Sequence, residues 1–208
     1  MTLPSAGPSP IGTQKLGEII EASTVQVVAQ SYELDVAPPF GSLVWLPQGV
    51  SGDEVYGVVT LIETAALDAS RRPMARGQDA ESRQAVFQQH PQLAELFRTH
   101  FTVKLLGYAA AGTVHHALPP APPEIHQFVY PCTSEQVNTF TFSLGFLPLL
   151  LAAAGPTADE VTAAFLAAAA AGRLPADAQR FLVSAAKQLV VQLRGDAARL
   201  NRLLGRLG

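Results

Sequence analysis

The stretch between Lys15 and Thr64 limits the fold more than any other part of the chain. From Leu16 it reads LGEIIEASTVQVVAQSYELDVAPPFGSLVWLPQGVSGDEVYGVVTLIET. Short β-branched runs alternate with turn residues, and no helical stripe persists. The spacing predicts strands over Leu16–Ala22, Val25–Ser31, Ser42–Leu46 and Glu54–Glu63. Val25, Val27 and Ala29 alternate with Gln26, Val28 and Gln30, the period of a half-buried strand. Pro38 and Pro39 exclude a central strand between the second and third runs, so that segment is a loop. Four such strands, joined by turns, read as the start of a small closed β-barrel.

After Thr64 the pattern breaks. Leu67 to Gly77 is polar and irregular. Gln78 to Arg98 reads as helix in two pieces, with Pro91 in the first turn of the second. Val86, Phe87, Leu93, Leu96 and Phe97 would form its buried side. Strand character returns at Phe101–Ala109, Thr113–Leu118 and Ile125–Tyr130, with the stiff PPAPPE linker between the last two. From Thr133 the chain is helical. Thr133 with Gln136, and Thr157 with Glu160, match capping boxes. Helices are expected over Ser134–Ala153 (split near Gly145 and Pro148), Ala158–Ala171, Ala176–Arg194, and after Asp196. The expected fold is α+β. A leader spans residues 1–13 and a β-barrel spans 14–131, with a helical insertion at about 78–98. A C-terminal α-helical bundle spans 132–208.

Composition narrows the function classes. The chain has 208 residues, 48% of them hydrophobic and 15% charged, which fits a globular protein. The net charge is −3, so the whole chain is no polycation. Charge is uneven, however: residues 173–208 carry +5 and the remainder −8. Arginines on the solvent face of a terminal helix explain this without a partner; Arg194, Arg199, Arg202 and Arg206 are the candidates if nucleic acid is touched. The single cysteine, Cys132, excludes an intrachain disulfide or a multi-cysteine zinc site. No basic start followed by an apolar run marks a signal peptide. The apolar stretch Phe140–Ala154 is too short and too interrupted to span a membrane. A cytoplasmic location is expected.

No catalytic motif stands out. There is no G-x-x-x-x-G-K-[ST] loop for phosphates and no G-x-S-x-G elbow. His115, His116, His126 and Cys132 lie near one predicted hairpin. Adjacent histidines on a strand face opposite ways, so only one of the pair could join His126, and rim histidines are the default reading over a metal site. Cys132 follows a proline at a strand end and reads as packing. Phe40, Trp45, Tyr56, Phe128 and Tyr130 read as barrel core, because a base-stacking face needs interleaved basic residues. Arg71, Arg72 and Arg76 form a basic knot in RRPMARG that suits a phosphate or carboxylate, or else pairs with Asp68, Asp79 and Glu81. They are the expected partner-docking residues.

The segments LGEIIEASTVQVVAQ, PPFGSLVWL and EVYGVVTLIET, with Gly17 behind the first strand residue and Gly57 opening the apolar half of the fourth strand, resemble the HerA–ATP synthase barrel, or HAS-barrel. The similarity covers Lys15 to Thr64 and extends more loosely to Tyr130. The helical end resembles stand-alone bacterial proteins, cyanobacterial in flavour, that pair such a barrel with helices. The resemblance implies a non-catalytic adaptor without cofactor, docking on a HerA-type ring ATPase of DNA processing or its nuclease. Two alternatives stand beside it. One is a small-ligand site or enzyme between barrel and bundle, using His126, Arg72 and Arg76. The other is a self-assembling protein with Phe140–Leu151 as the oligomer surface.

Overall fold

The computed structural model describes residues 14–49, 52–68, 74–152 and 158–207. Seven antiparallel strands occur among them: β1 (Gly17–Ala22), β2 (Gln26–Ser31), β3 (Leu43–Gln48), β4 (Asp53–Ala66), β5 (Phe97–Ala110), β6 (Thr113–His115) and β7 (Phe128–Pro131). They pair in the order β2-β1-β7-β3-β4-β5-β6, and β5 also pairs with β2. Six strands therefore close into a barrel, and β6 is a short hairpin on β5. Sequence pattern and structure agree on a barrel followed by helices.

The barrel interior is small and aliphatic. Ile19, Val27, Ala29, Val44, Leu46, Val55, Val59, Val103, Leu105 and Val129 fill it with Phe101. Alternation places their neighbours Leu43, Tyr56 and Val58 outside. Two register shifts between β4 and β5, at Tyr56/Gly57 and Val59/Leu61, mark extra residues that bend the strands toward closure. At the first, Leu106 is the unmatched residue of β5, and it joins the outer core. The aromatics expected in the barrel core are not there. Trp45 stacks on Tyr130 at 4.8 Å on the outer face, Tyr56 meets Phe140 from the same side, and Phe40 is exposed. A barrel of this strand number leaves an interior just wide enough for compact side chains.

Among the described residues, seven helices cover or extend this barrel. The insertion carries α1 (Arg83–Gln89) and α2 (Leu93–Leu96), with Ser82 capping α1 through the Ala85 amide. Both are shorter than expected, and neither has a buried residue. Phe97 and Arg98 belong to β5, which pairs with β4 as far as Ala66, so β structure extends over Thr64–Ala66 and Phe97–His100, beyond the strands that the pattern predicts. Pro91 precedes α2 and its cap Gln92.

The remaining helices are α3 (Ser134–Phe140), α4 (Leu147–Leu151), α5 (Ala158–Ala171), α6 (Pro175–Gln192) and α7 (Ala197–Leu207). Thr133 and Gln136 form the expected capping box. Thr157 lies outside the described residues. Asp196 receives the Arg199 amide at 2.9 Å at the start of α7. Phe181, Ala185, Leu189 and Leu193 of the α6 stripe are buried, and so is Leu203 of α7. Helix α5 packs directly on the barrel. Gly41, at φ +80°, is the point of contact: a Cβ there would lie 2.5 Å from the Ala164 Cβ. One apolar cluster joins Leu43, Tyr56, Val58 and Leu106 of the barrel wall to Phe140, Phe146, Phe165, Leu166 and Leu189 of the helices. No helix among the described residues is long and apolar enough to cross a membrane.

Candidate functional site

The turn between α5 and α6 and the end of α3 build an open groove of about 800 Å³. Helix α3 stops at Phe140, and the buried Thr141 returns its hydroxyl to the Val137 carbonyl at 2.5 Å. The chain then turns outward, which leaves Phe142 93% exposed. Across the groove, α5 ends at Ala171 and Gly172. Leu174, 73% exposed, caps α6 without a side-chain bond, and Pro175 opens that helix.

Arg173 lies between these segments. Its Nη1 donates to the Ala169 carbonyl, and its Nη2 donates to Thr141 Oγ1 at 2.5 Å. The guanidinium sits 4.1 Å above the centre of the Phe181 ring, within the range of a cation–π contact. Burial pushes Arg173 below its ordinary pKa, and the Asp177 charge pulls the other way. Among the described residues no carboxylate lies within ion-pair distance of Arg173, because Asp177 binds Arg180 instead. The groove thus holds a fixed cation, neutral hydrogen-bonding groups and two uncovered apolar side chains.

The residues singled out from sequence lie elsewhere. Arg71 and Arg72 are outside the described residues; Arg76 is exposed. Arg199 binds Asp159 at 2.6 Å and the Leu151 carbonyl at 3.1 Å; Arg202 reaches the same aspartate at 3.7 Å. Arg206 pairs with Glu160. Three of the four α7-side arginines therefore tie α7 to α5, and Arg194 is exposed. Of the segment Phe140–Leu151, the side chains Phe140, Phe146, Leu147, Leu150 and Leu151 are buried within the chain itself.

The histidines do not converge. His115 stacks on Tyr108 at 4.9 Å, and His126, at φ 67°, pairs with Glu18. The Glu18 carboxyl is held below the usual range, first by the hydrogen bond from His126. His116 turns inward, with Nε2 2.8 Å from the Phe140 carbonyl and its ring against Phe140 and Phe146. Among the described residues no group of three or more His, Cys, Asp or Glu is placed to hold a metal. Burial, then the nearby Glu54 charge, pushes the Cys132 thiol up and keeps it protonated.

His116 gives a testable pH dependence. Burial lowers its pKa against the opposing bond to Phe140. The unfolded chain therefore takes up a proton first as pH falls below about 6.5, and folding stability declines from there to the lower folded value. Urea midpoints between pH 7.5 and 5 should fall more steeply for the native protein than for His116→Gln, whose amide can still donate to Phe140. Parallel declines would rule His116 out as the cause.

Neither Arg173 nor Phe142 stood out in the sequence. The signal for Phe142 was an aromatic set between threonine and serine in TFTFS; Arg173 had only its place in a Gly-Arg-Leu-Pro interhelix turn. No protein-family model matches the chain. No curated protein matches it either.

Proposed function

We propose that this chain is a non-catalytic docking module whose partner covers the groove at the α5–α6 turn. The observation that carries this reading is Phe142: a phenylalanine 93% exposed beside an anchored arginine. Aromatic and arginine side chains dominate the energetic centres of protein interfaces, and apolar groups left in water favour a covering surface. The partner class comes from the HAS-barrel resemblance of the strand segments: a ring ATPase of DNA processing, or the nuclease that works with it. This reading puts the docking site in the groove, with Arg76 of the RRPMARG segment as a secondary contact.

The test is affinity capture from the source cell after nuclease digestion, run with the native chain and with Phe142→Ser. A ring ATPase or nuclease should be retained by the native chain and reduced at least about ten-fold by the variant, the scale of one lost interface anchor. Equal retention by both, or retention of neither class, overturns the reading.

A further inference from the structure

We infer that the segment received by this groove is an acidic, apolar peptide of a protein partner: a carboxylate seated on Arg173 and an adjacent apolar side chain held between Phe142 and Leu174. The inference rests on the docking reading above and specifies its chemistry.

Three features select that occupant. Charge comes first. Arg173, Arg180 and Asp177 line the groove, and Asp177 is already engaged by Arg180. The uncompensated charge is therefore the Arg173 guanidinium. It is orientated by the Ala169 carbonyl and the Thr141 hydroxyl from one side and by the Phe181 ring from its face. A guanidinium fixed in this way still has N–H donors for a planar acceptor, and a carboxylate matches that fork. Second, the guanidinium is half-buried and held by two hydrogen bonds and a ring, so an incoming carboxylate meets a cation that is already positioned. Third, the rim is apolar: Phe142 and Leu174 are 93% and 73% exposed. A free inorganic anion would leave both in water, whereas a peptide with an acidic and an apolar side chain on one face covers them. Nucleic acid fits poorly. The whole chain carries −3, and the arginines of α7 are taken up by Asp159 and Glu160.

The experiment uses the full chain and fluorescein-labelled synthetic peptides in three versions. Phe recurs with Glu, with Gln or with Lys at helical spacing. The Glu peptide should bind at least about ten-fold tighter than the Gln peptide, and the Lys peptide should be weakest, a gap on the scale of one charge-assisted pair. Arg173→Gln should abolish the preference for Glu, and Leu174→Ser should weaken the Glu and Gln peptides alike. If Arg173→Gln does not fold, Arg173→Lys serves in its place: it keeps the charge but loses the fork, and should narrow the preference. Equal binding of Glu and Gln peptides, preference for Lys, no binding at all, or a preference for a single-stranded oligonucleotide in the same assay overturns the inference. The two proposals fail separately. Capture that depends on Phe142 with no preference for Glu leaves docking standing and removes the acidic peptide. Selective, Arg173-dependent peptide binding with no ATPase or nuclease captured leaves the acidic-peptide site standing and removes the ring ATPase or nuclease as its partner.

Discussion

Phe146→Ala should lower the unfolding free energy by about 3–5 kcal/mol, the range for removing a phenylalanine from a packed core. Phe146 is fully buried, and its ring meets three others: Phe140 at 5.7 Å, Phe165 at 5.2 Å and His116 at 5.5 Å between centroids. Those partners come from α3, α5 and the segment just after β6, so the cavity would open where helices meet barrel. The chain's one tryptophan, Trp45, lies on the barrel wall and packs against the same cluster. Denaturant unfolding followed by Trp45 fluorescence and by far-ultraviolet circular dichroism should therefore move together in the variant. A shift in dichroism alone would mean that the helices melt independently of the barrel, and that the shared core does not couple them.

The second large effect is expected at a glycine. Gly57→Ala should destabilise the protein by about 3 kcal/mol, the upper end for overpacking a tight interior. A Cβ at this position would lie 2.4 Å from Val103 Cγ1 and 2.7 Å from the Lys104 carbonyl oxygen. Val103 is fully buried in the barrel, and the oxygen belongs to the backbone of β5, so neither can step aside cheaply. Gly205 is the control. It lies in α7, and a Cβ there meets nothing within 4 Å. Gly205→Ala should raise stability by roughly 0.5–1 kcal/mol through helix propensity. The same chemical change then has opposite signs at the two sites in thermal melts. A Gly57→Ala variant that melts with the native protein would mean that β4 and β5 approach less closely than described.

These two sites also mark what could be read from residues alone. The barrel strands were legible because alternation survives in them: Val27, Ala29, Val44, Leu46 and Val55 face inward at every second position. Alternation fails where β4 and β5 run beyond the barrel. Thr64 to Ala66 and Phe97 to Thr99 pair only with each other, and the buried position there is the polar Thr99, not an apolar residue, so no apolar alternation marks them. The end of helix α5 at Ala171 was legible because its apolar run is long and is followed by Gly172. The insertion was not, since its apolar residues were assigned a buried side that α1 and α2 do not have. The groove was least legible. Thr141 lies 32 residues before Arg173, and only the packing of α3 against the α5–α6 turn brings it to Arg173 and Phe181.

The place of β7 has a consequence for how the chain is made. It is the last barrel strand to be synthesised, yet it lies between β1 and β3 and is the seam of the ring. The hairpins β1–β2 and β3–β4 can form early from neighbouring residues. Until Phe128–Pro131 leaves the ribosome, however, each hairpin keeps an unpaired edge. Such edges template pairing with other chains, and ring closure between residues more than a hundred positions apart is entropically slow. A nascent or truncated chain that stops short of β7 is therefore the species most exposed to aggregation. The helices that follow then emerge onto a barrel whose outer wall is already in place.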